Sequence, residues 1–298
     1  MKIALFGKTV QDSFFFYMEE MLRVLAERKI TLSCYRPFYL YLKEHGNISP
    51  VFSTLFDDHV PLEKDTDVLL SIGGDGTFLQ AVTHVKESGI PILGINCGRM
   101  GFLANVAQEE IGQAMALLSE RCYEIEQRDL LHLQVQENPF ADFSYALNDI
   151  TVQKTEYSSL INIHAFIGEE YLTSYWSDGL IVATPTGSTA YSLSEGGAIV
   201  APACETLIIT PVSPHNLNMR SLVLPKKEKI RLQIESRSGE YMLSVDSRIC
   251  KMPDSREICI SSPDFSLNVV KLPTHGYYDT LRNKLGWGED KRNVKMWK

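Results

Sequence analysis

The stretch Asp67-Val-Leu-Leu-Ser-Ile-Gly-Gly-Asp-Gly-Thr77 decides the fold. Its first half, DVLLSI, is a short apolar run of the kind a central parallel strand shows when both of its faces are buried. Gly73 and Gly74 end the run, and Thr77 to Glu87 follows with helical spacing. A buried strand that passes through glycines into a helix start is where α/β sheets keep their ligand sites. Glycine permits backbone conformations closed to other residues and lets a phosphate come near the chain, while free N–H groups at the helix start attract anions. Gly73, Gly74 and Thr77 are therefore the expected phosphate-proximal residues. Asp75 does not fit that company, because a carboxylate repels phosphate, so it is expected to face a hydroxyl or a metal ion. The competing reading is a tight strand-to-helix turn with Asp75 as the helix cap.

Outward from this point the first ~120 residues alternate apolar runs with amphipathic stretches, as layered α/β domains do. KIALFG at the N-terminus reads as a strand and Phe14 to Lys29 as a helix. IPILGIN, Ile90 to Asn96, reads as another buried strand, and Glu109 to Glu120 carries Ile111, Met115 and Leu118 at helical spacing. From about Leu130 the period changes to two, with Leu131, Leu133 and Val135 and then Ile161, Ile163, Ala165 and Ile167 alternating against their neighbours. RLQIES, YMLSVDS and FSLNVVKL continue that pattern to about Leu272, and Tyr277 to Trp287 is helical again. The expected fold is an α/β N-terminal domain over residues 1–125, a mainly antiparallel β domain over 126–272, and a C-terminal segment, 273–298, returning to the first domain.

Composition narrows the function. At 298 residues the chain is near the size at which one core divides into two domains. A net charge of -8 argues against a protein that holds nucleic acid or anionic lipid through wide basic patches. No run approaches the ~18 uncharged apolar residues of a membrane span, and polar residues interrupt the N-terminus before a signal sequence forms. The six cysteines have no CxxC spacing and are expected to be reduced thiols of a cytoplasmic protein; the seven histidines form no HExxH pair. Gly7-Lys8-Thr9 imitates the end of a P-loop, but Lys2 stands where its first glycine belongs. Neither GxGxxG nor GxSxG occurs, which leaves Rossmann dinucleotide binding and serine hydrolysis without their turns.

Two further stretches carry candidate site residues. DGLIVATPTGSTAY, Asp178 to Tyr191, passes from an acidic turn through an apolar run to hydroxyls, glycine and an aromatic, and continues as SLSEGG. Such a sequence brings backbone and hydroxyl donors close to a nucleotide and offers Tyr191 as an aromatic surface; alone it also reads as a turn between strands. Asn148-Asp149 in YALNDITV sets an amide beside a carboxylate in a strand context, where burial demands hydrogen-bonding partners.

Together GGDGT at Gly73, GRMGFL at Gly98, ND at Asn148, DGLIVATPTGSTAYSLS at Asp178, PHNLNMR at Pro214 and VDS at Val245 resemble the ordered motif set of the bacterial NAD kinases, and LRNKLGW is similar to that family's C-terminal end. GGDG alone is shared with diacylglycerol, sphingosine and 6-phosphofructo kinases; TPTGSTAY is what selects NAD kinase. The resemblance implies transfer of the γ-phosphoryl group of ATP to the 2′-hydroxyl of the adenosine ribose of NAD, in a cleft between the two domains. It also implies a divalent cation, Mg²⁺, whose ligands it leaves unknown, and a homodimer or homotetramer in which a neighbouring subunit helps complete the nucleotide pocket. Carried over by position, Asp75 is the catalytic aspartate with Gly76 beside it. Asn148 and Asp149 are the nucleoside-binding pair, and Asp178 is an acidic NAD contact. Thr189, Ala190, Tyr191, Ser192, Leu193 and Ser194 form the adenosine-holding loop, and Phe102 lies where the family has an aromatic near the adenine. Asp149 replaces a more usual glutamate, Gln80 stands where a basic residue is common, and Arg248 where glutamine is common. A lipid kinase would share GGDGT but would need a membrane-facing surface, for which there is no basic amphipathic stretch. A non-catalytic NAD-binding regulator would keep the loops and lose Asp75.

Overall fold

The computed structural model describes residues 1–46, 51–98, 100–155, 159–274 and 276–287. Arg99 of GRMGFL and residues 275 and 288–298 of the C-terminal segment lie outside the described residues. The chain divides into two compact units, one of Met1–Glu126 with Asn268–Lys298, the other of Gln127–Leu267.

In the first unit the elements run β1 (Lys2–Gly7), α1 (Phe15–Glu27), β2 (Thr31–Tyr35), α2 (Arg36–His45), β3 (Thr54–Phe56), β4 (Val68–Ile72), α3 (Asp75–Val85), β5 (Ile92–Ile95), β6 (Ala104–Val106), α4 (Ile111–Ser119) and β7 (Glu124–Arg128). In the second they are β8 (Leu131–Val135), β9 (Tyr145–Ala146), β10 (Asp149–Gln153), β11 (Ile161–Ile167), β12 (Glu170–Ser177), β13 (Gly179–Ala183), α5 (Tyr191–Ser194), β14 (Thr206–Val212), β15 (Leu222–Pro225), β16 (Ile230–Glu235), β17 (Glu240–Val245), β18 (Arg248–Pro253) and β19 (Ile258–Ser261). Two C-terminal elements, β20 (Leu267–Lys271) and α6 (Tyr277–Leu285), follow.

The first sheet has the order β3-β2-β1-β4-β5-β20-β7, with β6 paired to β5. β1 lies parallel to β2 and β4, and β5 parallel to β4, β6 and β20. The helices are the crossovers that parallel pairing requires. Every residue of β4 is buried, which is why its sequence shows no alternation. α1 buries Met18, Met21, Leu22 and Leu25, spaced to form one stripe, and packs against α4. α6 stops at Gly286, whose φ of 64° is the left-handed conformation that glycine takes without strain.

The structure of the first sheet differs from the sequence reading. Alternation assigned FSLNVVKL to the antiparallel domain, yet its strand β20 lies in the first sheet, with Val269 opposite Ile92. A period of two reports that one face is buried and does not say in which sheet. The reading also assigned no element between Lys29 and Asp67, where β2, α2 and β3 lie.

The second unit holds two six-stranded sheets, β15-β14-β13-β10-β17-β18 and β12-β11-β16-β19-β8-β9, whose neighbouring strands all pair antiparallel. Ile150, Val152, Leu180, Val182, Leu207 and Ile209 from one and Ile161, Ile163, Leu232 and Ile258 from the other form a single apolar cluster. The opposite face of β10 therefore belongs to its alternate residues, Asp149, Thr151 and Gln153, which stand across from Ala183, Ile181 and Gly179 of β13. On that face Ile181, Ala183, Ile208 and Val212 make a smaller cluster against which Tyr191 of α5 packs. β10 thus has a purely apolar face and a face with a carboxylate, a hydroxyl and an amide.

Gly94 of β5 has no room for a side chain. A Cβ there would lie 2.5 Å from the Leu103 carbonyl oxygen and 2.6 Å from the Ala104 Cα, both backbone atoms of the paired strand region. Gly94→Ala is expected to destabilise the protein by roughly 1–3 kcal/mol, the usual cost of overpacking. Urea denaturation of the variant against its parent checks this, and an unchanged midpoint would contradict the close approach.

Candidate active site

The bend between β4 and α3 is built from glycine for steric reasons. Gly73 adopts φ +152°, and a Cβ there would fall 2.3 Å from Thr77 Oγ1. Its N–H donates to the Ile95 carbonyl at 2.9 Å, which fastens the bend to β5. Gly74 and Gly76 are exposed, and a Cβ on either would meet nothing within 4 Å. Gly74 is the N-cap of α3, and no side chain caps the helix. The Asp75 and Gly76 N–H groups lie in the first helical turn, which has no intrahelical acceptors for its donors. A phosphate arriving here would meet open backbone and the positive end of a helix.

Asp75 is not the helix cap. Its carboxylate reaches across to the segment between β5 and β6, where Oδ2 accepts the Phe102 N–H at 2.9 Å and Oδ1 accepts the N–H groups of Leu103 at 3.0 Å and Ala104 at 2.9 Å. Gly101 makes this possible, since a Cβ on it would overlap Asp75 Oδ1 at 1.9 Å. The loop is braced from within by Asn96, which accepts the Gly98 N–H on Oδ1 at 2.6 Å and donates from Nδ2 to the Ala104 carbonyl at 3.2 Å. Oδ2, with one N–H to accept, retains a lone pair for an incoming hydroxyl. The first unit thereby brings together Gly73, Gly74, Asp75, Gly76, Thr77 and the backbone of Phe102. Asn96 and Gly101 complete the arrangement without having been singled out from sequence.

The remaining predicted residues lie in the second unit on the polar face of β10 and its surroundings. The Asn148 backbone is held on three sides. Its N–H donates to Asp246 Oδ1 at 2.8 Å, its carbonyl accepts the Thr184 N–H at 2.9 Å, and Gly187 lies so close that a Cβ would sit 2.0 Å from that carbonyl oxygen. Thr184 Oγ1 also donates to the Leu147 carbonyl at 2.6 Å and accepts the Gly187 N–H at 3.0 Å. The half-buried Asn148 amide is projected from a fixed stem. Asp149 is 6% exposed and accepts Thr151 Oγ1 at 2.9 Å. Loss of water, and then the nearby Asp246 charge, push its carboxyl up to about 7.

The segment Thr189 to Ser194, expected as a loop, is a 3-10 turn over Thr186–Thr189 followed by α5, with Ala190 as the break. Gln153 Nε2 donates to the Tyr191 hydroxyl at 2.6 Å, which fixes the ring beside β10. Burial raises the Tyr191 phenol, and the neighbouring Glu195, Asp149 and Asp178 charges act in the same direction. Ser192 is fully buried, with its hydroxyl 2.8 Å from Thr210 Oγ1, which in turn lies 3.0 Å from Ser221 Oγ. Its position suits bracing rather than ligand contact. Asp178, at the other end of β13, pairs with Lys154 Nζ at 2.6 Å. Asp246, Thr184 and Lys154 were missed as individual residues, although Asp246 lies within VDS and Thr184 within DGLIVATPTGSTAY. Among the described residues no group of three His, Cys, Asp or Glu side chains could hold a metal ion, and no helix is long and apolar enough to cross a membrane. All six cysteines are free thiols.

Family models for the ATP-NAD kinase N-terminal domain and C-terminal domain match residues 3–123 and 147–272. An NAD kinase from Flavobacterium psychrophilum is 43% identical over 98% of this chain and 100% of its own length. One from Bacteroides fragilis strain ATCC 25285 is 41% identical, with the same coverage of both. The crystal structure of yeast NADH kinase complexed with NADH superposes with a TM-score of 0.83 at 26% identity, covering 99% of this chain and 90% of the yeast chain. An Archaeoglobus fulgidus NAD kinase crystallised with ATP, at 23% identity and a TM-score of 0.74, shares the fold. On the full-length relatives and the matches to both domains, the chain belongs to the NAD kinase family.

Proposed function

We propose that the chain phosphorylates NAD at the 2′-hydroxyl of its adenosine ribose with the γ-phosphoryl group of ATP, giving NADP and ADP, and that Asp75 is the general base. The observation that carries the assignment is the Asp75 carboxylate, held by three N–H groups beside an open glycine bend at a helix start. A secondary alcohol is a poor nucleophile. As its oxygen bonds to the γ-phosphorus and the bond to the ADP oxygen breaks, its proton passes to Asp75 Oδ2, a contribution of ~10² to 10⁴ in rate. Alignment of the nucleotides and the N–H groups of the bend supply the larger share.

A divalent ion suits these residues in one form. Mg²⁺ keeps several waters and binds through one or two carboxylates plus substrate phosphates. With the free lone pair of Asp75 taken by the hydroxyl, nucleotide phosphates and water would hold the ion, which would neutralise charge on the transferring group. Asn148 and Asp149 bind the nucleoside, Asp178 is a second acidic NAD contact, and Thr189, Ala190, Tyr191, Leu193 and Ser194 hold the adenosine, with Tyr191 as its aromatic surface and the buried Ser192 bracing the segment. Phe102 lies near the adenine. The fixed Asn148 stem and the tethered Tyr191 ring support these roles. We also propose a cytoplasmic homodimer or homotetramer. Tyr171, Trp176, Leu217, Val223 and Ile249, all exposed on the second unit, support self-association.

Asp75→Asn is expected to lower turnover at least about a hundredfold, with a cooperative melt and an NAD affinity close to the parent's. Its amide turns a donor towards a backbone N–H, which predicts a stability loss of about 1–3 kcal/mol. NADP formation at the parental rate would remove Asp75 from the mechanism. Tyr191→Ala should weaken NAD binding by calorimetry more than it lowers the melting temperature, and unchanged affinity would count against the adenosine assignment.

Asp149 makes stability depend on pH. Its folded value, about 7, lies above the ordinary 3.8, so the folded state holds the proton more tightly than the unfolded chain. Its stabilisation is complete below pH 3.8 and is lost as pH rises through about 7. Asp149→Asn keeps an acceptor for Thr151 and removes the ionisation. Between about pH 5 and about pH 8 the variant should gain on the order of 1 kcal/mol or more relative to its parent in urea titrations. Parallel pH responses of the two proteins would show that Asp149 does not titrate in this window.

A further inference from the structure

The turn between β17 and β18 grips the chain leading into Asn148 and Asp149. Val245 and Arg248 are register partners, so Asp246 and Ser247 are the two turn residues, and Asp246 adopts φ 52°, in the left-handed region. Aspartate and asparagine tolerate that conformation better than most residues. Its carboxylate accepts the N–H groups of Leu147 on Oδ2 at 2.9 Å and of Asn148 and Asp149 on Oδ1 at 2.8 and 3.2 Å. The Asp246 N–H donates to the Asp149 carbonyl at 2.9 Å. Two residues further on, the Arg248 guanidinium donates from Nη1 to the Phe143 carbonyl and from Nη2, at 2.6 Å, to the Tyr145 carbonyl. One turn therefore takes the carbonyls of 143 and 145 with a cation and the N–H groups of 147 to 149 with an anion. A strand start in this position would ordinarily leave those N–H groups to water or to a neighbouring strand.

We propose that Asp246, seconded by Arg248, is a positioning residue for NAD recognition, setting the direction of the Asn148 amide without touching the dinucleotide. The proposal rests on the reading of Asn148 as a nucleoside contact. Side-chain amides discriminate by direction, so a stem that rotates loses the contact even when the amide remains. Asp246 is suited to the task because its three acceptor bonds fix three consecutive residues at once. Asparagine has nearly the same size and the same tolerance of the turn conformation, but it turns an NH₂ donor towards one of those N–H donors.

The test is steady-state kinetics and NAD calorimetry on the full chain carrying Asp246→Asn, Asn148→Ala and both. Asp246→Asn is expected to raise KM and Kd for NAD about tenfold, with KM for ATP within about twofold of the parent. In the Asn148→Ala background its effect on NAD binding should shrink well below about tenfold, because of the two contacts it holds only Asp149 is left. Unchanged NAD affinity in Asp246→Asn, equal losses for both substrates, or full additivity of the two substitutions would overturn the proposal. Should Asp246→Asn fail to fold, Arg248→Met carries the same expectation at about threefold, and unchanged NAD affinity there would overturn it. If Asn148→Ala itself leaves NAD affinity intact, the nucleoside-contact reading fails and the positioning proposal with it; NAD affinity lost in Asn148→Ala but kept in Asp246→Asn sinks the positioning role alone.

Discussion

A carboxylate seated on three consecutive backbone N–H groups is the interaction on which the candidate residues of each unit depend. Asp75 takes Phe102, Leu103 and Ala104; Asp246 takes Leu147, Asn148 and Asp149. Segments that turn between strands present N–H groups that neither a ladder nor a helix can satisfy, and leaving them without partners away from water costs about as much as losing the bonds outright. A single anion satisfies all three and gains charge-assisted bonds in doing so. The geometry needs room, which explains the glycine at 101, where any side chain would occupy the place of the Asp75 carboxylate.

These contacts also mark the limit of what the sequence discloses. GGDGT was legible because its meaning is local: a buried strand, a bend only glycine can make and a helix start lie within eleven residues. The partners of Asp75 are 27 to 29 residues away, and those of Asp246 are 97 to 99 away, so no periodicity points to either. The Asn148-Asp149 pair could be suspected, since a carboxylate inside an apolar strand demands an explanation, but its clamp could not. VDS entered only as part of a resemblance. A period of two is blind to sheet membership, so by pattern β20 sorts with the antiparallel strands before it, whereas β2, with four of its five residues buried, has a pattern close to that of β4.

β10 shows how one strand serves packing and recognition together. Ile150 and Val152 anchor it in the apolar cluster, so the register that buries them also fixes Asp149, Thr151 and Gln153 on the opposite side. A slip of one residue would exchange the two sets, which makes the placement of the polar side chains as secure as the core itself. Asp149 remains a costly occupant there, raised by burial and by Asp246, and it is retained beside the residues proposed to meet the nucleoside.

The position of β20 bears on how the protein is made. It lies between β5 and β7 in the first sheet, although 138 residues separate the end of β7 at Arg128 from its own start at Leu267. During synthesis the N-terminal strands emerge first, yet the sheet stays divided until the whole second unit has left the ribosome. Until then the flanks of β5 and β7 that will receive β20 are open strand edges, the surfaces most prone to mispairing. The nascent chain would thus be expected to complete its two units nearly together rather than in order of translation.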